Sequence, residues 1–587
     1  MKIHWFNQFG ELNPQLFREI KGRFTRRNLA LSIGLSLLVQ FFGYLSYSTR
    51  IVESIRLDSK YCTAKPTYLQ YQEQYTQINN QLYSSPTNDL SINREALEVK
   101  LSELSQLMNA NCPSDAINSS LWWRDYWTET FMVLSVFGFF ALILIGSYML
   151  INDLATEQRR GTLNFIRLSP QTYKSIFVGK ILGVPSLLYL AIALFIPYHI
   201  ISGISGGISI LEIFSFYTVV VASCAFFYSF SLLFGLMTLG QSGFQAWLGS
   251  SLIFIFLMLA NNKPIYKDGS DWLNLFCPSF LLRHLIYRTD LSNLNFPFNH
   301  ESIQVLKWFE LPLGTSTALI IFFLLFNYSL WTFGIWQGLK RCFYNPDATL
   351  FSKQQSYGIT GCLTLMNLGF LFQDFELKNE SSIINAVVFN SLLFFVLVAT
   401  LSPHRQTLQD WARYRRERVN GKTHLLSDLI QGERSPVVVA IGLNLGIVIT
   451  LFGVTILGIG VSDKSFQILT ALLLNSSLIW LCASLAQLLL LMRTPKRGFW
   501  AVGIVGSVLI LPLIIFAFLG LEPSKESLTF LFSFLSFTAL PYATIPLILT
   551  VIVEQSIVTI VLNLKLTQQL KKAGESTSKA LLSGRSA

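Results

Sequence analysis

Apolar runs of about 20 residues recur along the whole chain with almost no charge inside them, and this leaves little choice of fold. Roughly 20 helical residues cross the ~30 Å hydrocarbon core of a bilayer, and a helix satisfies its backbone hydrogen bonds internally. The runs are solidly apolar and do not alternate, which disfavours a membrane barrel. Hydrophobic residues make up 52% of the chain and charged residues 13%, against roughly 25% charge in soluble globular chains. The expected fold is therefore all-α: a polytopic membrane protein of about twelve transmembrane helices.

Read between charges, the spans fall at 29–48, 128–151, 181–201, 211–239, 243–260 and 314–338, then at 358–373, 383–402, 437–461, 467–492, 499–519 and 528–562. The 243–260 run is short enough to be re-entrant. With the amino terminus inside, 29 of the 44 Lys and Arg lie in cytoplasmic segments and none lies in a span, which follows the positive-inside rule. Both termini are thus predicted cytoplasmic, in a multi-pass protein of the plasma (inner) membrane. The net charge of +11 is explained by this distribution, so nucleic acid is not an expected partner, whereas membrane lipid is. No cleavable signal peptide is expected, because the first 28 residues are polar and basic.

The spans form two sets of six, 29–338 and 358–562, joined by a cytoplasmic linker at 339–357 and followed by a tail at 563–587. Each set has its largest cytoplasmic loop between its second and third spans, 152–180 and the basic loop 403–436, which is a topological repeat. An exterior loop at 49–127 carries Tyr68, Tyr71, Tyr75, Ile78 and Leu82, then Leu97, Leu101, Leu104 and Met108, each series stepping by three or four residues. With Ser84–Asp89 as a turn, this predicts an exterior helical hairpin. Cys62 and Cys112 are equidistant from Thr87, so antiparallel arms bring them level as disulfide candidates in an oxidising compartment; two unrelated thiols are the alternative. At the amino terminus, Leu12, Leu16, Ile20 and Phe24 share one helical face beside Arg18, Lys21, Arg23, Arg26 and Arg27. That is the makeup of an interfacial amphipathic helix within 1–28, or of a solvated basic tail.

The loop 152–180 is the most informative segment. It has a charged start through Glu157, Arg159 and Arg160, a short amphipathic run in Leu163, Ile166 and Leu168, and a Ser169–Pro170 break. Such an element can dock into a cleft on a soluble partner and pass a push to the flanking spans; it can equally be an ordinary connector. The run Glu157, Arg160, Gly161, Thr162, Leu163, then Ser169, Pro170 and Gly179, Lys180, resembles the coupling segment of the type 2 ABC exporter permeases. The opening Asn13, Pro14, Leu16, Arg18, Glu19 and Arg23 resembles the start of chains in that family. The resemblance covers residues 10–340. It departs from the family in the fused second half and in the large hairpin.

The resemblance implies a transmembrane permease whose coupling helix sits on a separate ABC ATPase subunit, with ATP and Mg bound by that partner and no cofactor or metal bound by this chain. Asp410, Trp411, Arg413, Arg415, Arg416 and Arg418, then Asp428–Pro436, offer a second-half counterpart or an anionic-lipid site. Gly421, Lys422 and Thr423 lack the upstream glycine of a phosphate-cradling loop, so this chain is not expected to be an ATPase or another enzyme. Glu554 and His199 are ionisable groups within spans. Phe-rich spans suit an apolar or amphipathic cargo. Rival readings are a twelve-span secondary transporter and a non-transporting scaffold. One chain with two ATPases, or a homodimer, would complete an exporter.

Overall fold

The computed structural model describes residues 13–57, 66–84, 91–111, 118–238, 243–261, 263–288, 303–346, 348–373, 381–417, 425–460 and 463–574. No β-strand occurs among them. In chain order the helices are α1 (Pro14–Arg23), α2 (Arg26–Leu57), α3 (Pro66–Ser84), α4 (Ser91–Asn111), α5 (Ser119–Arg159), α6 (Thr162–Leu168), α7 (Tyr173–Gly183), α8 (Ser186–Ser205), α9 (Ile210–Met237), α10 (Gln245–Asn261) and α11 (Ser279–Arg288). There follow α12 (Thr317–Tyr344), α13 (Lys353–Leu371), α14 (Ser381–Leu401), α15 (Arg405–Glu417), α16 (Leu425–Gln431), α17 (Val438–Ile459), α18 (Asp463–Leu490), α19 (Arg497–Leu519), α20 (Ser527–Leu531), α21 (Ser536–Ala539) and α22 (Ile545–Ala573).

Among the described residues, nine helices are long and apolar enough to cross a membrane: α5, α8, α9, α12, α14, α17, α18, α19 and α22. This is the pattern of an all-α, multi-pass membrane protein. The other three expected spans coincide with α2, α10 and α13, which are helical but outside that set. The run read as a last span at 528–562 is broken. Two short helices, α20 and α21, precede α22, which starts at Ile545 with a proline in its first turn and continues to Ala573. Pro541 falls in the 3-10 turn Leu540–Tyr542 and Pro546 in the first turn of α22, a position where the missing backbone donor costs no helical bond. The apolar periodicity at 66–111 forms two helices, α3 and α4, which pack on each other.

The chain divides into two compact units. The first holds residues 1–149, 178–221 and 281–297. Here α2 lies along α8: Ser32 and Ser36, one turn apart, donate to the carbonyls of Leu187 (2.8 Å) and Ala191 (3.0 Å). Small residues let the helices approach, since a Cβ at Gly203 would meet Phe131 and Ile213 within 3.0 Å and one at Gly206 would meet Thr128.

The second unit holds residues 150–177, 222–280 and 298–587. Its central helix is α18, packed by α14, α17, α19 and α22. Ile468, Leu472 and Ile479 on α18 share a core with Phe394, Ile441 and Phe452. A 3-10 turn at Gly269–Phe276 is closed by a capping box between Asp268 and Asp271. Its Trp272 indole donates to Asn327 on α12 at 3.0 Å. Gln373, just past α13, donates to Asp271 at 3.3 Å. Thus an irregular segment has its polar groups met inside the protein, the condition for such backbone among spanning helices.

Candidate functional site

In the second unit the chain leaves α5 at Arg159 and turns at Gly161, whose φ of 70° is one that side chains resist. Thr162 Oγ1 donates back to the Glu157 carbonyl at 3.2 Å. The seven-residue α6 then ends where Ser169 Oγ donates to the Ile166 carbonyl at 2.7 Å and Pro170 forbids continuation. Glu157, Leu163 and Ile166 are buried, whereas Arg160 and Pro170 are exposed. The expected amphipathic trio does not share one face. Leu168 is 85% exposed and joins Phe165, 76% exposed, on the opposite side from Leu163 and Ile166. Spacing of three residues makes two apolar pairs on a helix this short, one turned inward and one outward. Arg167 lies 6.0 Å from the Phe343 ring centre, and burial lowers its pKa below the usual arginine value.

The same unit holds a second short helix, α16, also seven residues and also followed by a Ser-Pro pair, Ser435–Pro436. Its Leu425 and Leu426 are exposed. The Lys353 ammonium donates to the carbonyls of Leu429 (2.8 Å) and Pro436 (2.9 Å) and to Ser435 Oγ (2.6 Å). Tyr357, one turn along α13, donates to the Ile430 carbonyl at 2.6 Å. Carbonyls at a helix carboxyl end lack intrahelical partners, and a cation there also meets the negative end of the helix dipole. Arg415 pairs with Asp428 at 2.7 Å and lies over Trp411, and Arg341 pairs with Glu433 at 2.6 Å. Part of the basic run is thus spent on holding α16. Arg413 pairs with Asp410 on its own helix at 3.9 Å. Arg418, Gly421, Lys422 and Thr423 lie outside the described residues.

Gly179 and Lys180 belong to the first unit and meet the amino-terminal motif there. A Cβ at Gly179 would stand 2.9 Å from Asn13 Oδ1, Gln15 Cβ and Leu16 N, and one at Gly183 would stand 2.6 Å from Glu19 Cβ. Two glycines four residues apart make a flat strip on which α1 rests. Asn13 caps α1 by accepting from Leu16 N at 3.1 Å. Lys180, fully buried, lies 3.9 Å from Glu19, which also accepts from Gln15 (2.9 Å) and Arg23 (3.3 Å). The buried side of α1 is therefore polar, Gln15 and Glu19, while Leu16, Ile20 and Phe24 are only half-buried. Leu12 lies outside the described residues, as do the disulfide candidates Cys62 and Cys112.

Of the two ionisable groups expected within spans, Glu554 is exposed on α22 and His199 is buried. The His199 ring stacks on Phe131 with centres 4.3 Å apart, and its nitrogens meet Ser135 Oγ at 2.7 Å and the Tyr217 hydroxyl at 2.8 Å. A hydroxyl can donate or accept, so the ring bonds both partners and ties α5, α8 and α9 together. Replacing His199 with Leu strands both hydroxyls and is expected to lower stability by about 1–2 kcal/mol. Thermal unfolding of the detergent-solubilised protein measures this, and an unchanged midpoint would show that the histidine holds nothing.

Lys353, Tyr357 and Phe165 were not singled out in the sequence. A lysine in a linker and a phenylalanine in a Phe-rich chain carry no local mark of their roles.

Fold and sites together define an all-α polytopic membrane protein. No family model matches this chain, and no curated protein or solved structure is significantly similar to it.

Proposed function

We propose that this chain is the transmembrane permease of an ATP-driven exporter of the ABC class, working with separate ATPase subunits on an apolar or amphipathic cargo. The observation that carries the reading is α6: a short helix between two spanning segments, seated by Leu163 and Ile166 and offering Phe165 and Leu168 outward. Two exposed apolar side chains one turn apart suit a cleft on a soluble partner. The second short helix, α16, with Leu425 and Leu426 outward, supports two such partners per chain. In this reading α6 and α16 face the cytosol, both termini are cytosolic, twelve segments span the inner membrane in two sets of six, and α3 with α4 lies outside. ATP binding and hydrolysis in the partners would move α6 and α16 and, through them, the spans.

The test is purification of the full-length chain from its own membranes with whatever ATPase accompanies it. The expected complex contains one permease chain and two cassette ATPases by mass. Phe165→Asp with Leu168→Asp is expected to weaken ATPase association about tenfold, as loss of an interface anchor does, while leaving insertion intact. A homodimeric permease would correct the stoichiometry alone. Proton-driven cargo flux by the chain without an ATPase, or full ATPase association in the double variant, would overturn the reading.

A further inference from the structure

A cavity of about 460 Å³ opens in the second unit between the start of α7 and the middles of α9 and α12. One end lies where Tyr173 and Lys174 begin α7 after the Pro170 break. Lys174 is exposed and makes no ion pair among the described residues. From Trp336 to Tyr328, both lining the cavity, α12 rises about 12 Å. One wall is small, Ala222 and Ala225 one turn apart on α9, and the other is aromatic, with Phe333 65% exposed. The Trp336 ring is fixed by donation from its indole to Ser229 Oγ at 2.9 Å and lies 6.3 Å from Tyr173. At the other end Tyr328 backs the wall, fully buried, with its hydroxyl closed off from the cavity.

We infer that this cavity is a binding site for an acidic lipid of the bilayer, with its anionic head on Lys174 and its apolar body between the alanine and aromatic walls. Two features select that occupant. A lone ammonium at a helix end attracts an anionic headgroup. The long, mostly apolar interior suits a lipid and leaves a free anion without contacts. The site stands whether or not the chain is a permease, and it assigns the lipid no role as cargo.

The test uses the purified full-length protein in mixed micelles of phosphatidylglycerol and phosphatidylcholine in equal amounts, with retained lipid counted by native mass spectrometry. The wild type is expected to retain one phosphatidylglycerol about fivefold in preference to phosphatidylcholine, the contribution of one lysine near an anionic surface. Lys174→Glu is expected to abolish the preference, and Ala225→Phe to remove the retained lipid. Should Ala225→Phe fail to insert, the exposed Lys174→Glu change decides alone. Equal retention of both lipids by the wild type, or an unaltered preference in Lys174→Glu, overturns the site. Displacement of the lipid by inorganic phosphate overturns the lipid assignment.

Discussion

Replacing Gly179 with leucine will detach α1 from α7, at a cost of about 3 kcal/mol, the upper part of the range for overpacking a close contact. The new Cβ would stand 2.9 Å from the Leu16 nitrogen and from the Asn13 oxygen that accepts its hydrogen bond, so the change strikes the cap of α1 as well as its packing. Backbone cannot step aside as a flexible side chain can. Once α1 lifts, Lys180 loses its contact with Glu19. Hydrogen exchange of the α1 amides measures the effect, with about hundredfold faster exchange expected from that cost. Gly22→Ala is the control. Nothing lies within 4 Å of a Cβ there, so helix propensity alone acts and stability holds or rises slightly. Unchanged exchange in Gly179→Leu would mean that α1 does not rest on this strip.

The second large effect is expected at Lys353. Lys353→Met leaves the half-buried carbonyl of Leu429 and the buried Pro436 carbonyl and Ser435 hydroxyl without their donor. Stranded buried acceptors make this worth about 3 kcal/mol, with faster hydrogen exchange across residues 425–436. Lys353 precedes the apolar part of α13. Burial pulls its pKa down to about 8, against the opposing pull of the Asp428 carboxylate. An unfolded lysine titrates near 10.4. Below about pH 8 both states carry the charge, and as pH rises from there toward 10.4 the folded state releases its proton first, so stability rises across that window. Lys353→Met removes this rise. Chemical unfolding of the two proteins from pH 7 to 10.5 reads the difference, and parallel curves would place Lys353 in solvent.

These two positions also mark what local pattern can and cannot report. Gly179 and Lys180 were visible as a motif beside a span, and Asn13 to Glu19 as another at the amino terminus. That the two touch was not visible, because nothing local in residues 13–19 names the helix on which they rest. The apolar stripe of Leu16, Ile20 and Phe24 suggested the reverse orientation, since periodicity reports which residues share a face and says nothing of what that face meets. Paired glycines in α7 decide it by admitting the polar side of α1 to contact distance. At α6, spacing correctly placed a short helix before Ser169 and Pro170, but it assigned Leu168 to the same side as Leu163 and Ile166. On seven residues the faces are too short for period alone to separate an inward pair from an outward one.

The amino-acid sequence by itself determined that this protein is helical and crosses a membrane many times, because apolar length and internal backbone hydrogen bonding are properties of each segment alone. It also placed the break at Ser169–Pro170, whereas it ran one span over 528–562, across Pro541 and Pro546, where the structure has two short helices before α22. Only the tertiary structure decided which polar groups meet, such as Lys353 with the carboxyl end of α16, His199 with Ser135 and Tyr217, and Trp272 with Asn327. Those partners lie from 18 to 83 residues apart in the chain. Contact at such separations is set by how whole helices pack, and no local pattern carries it.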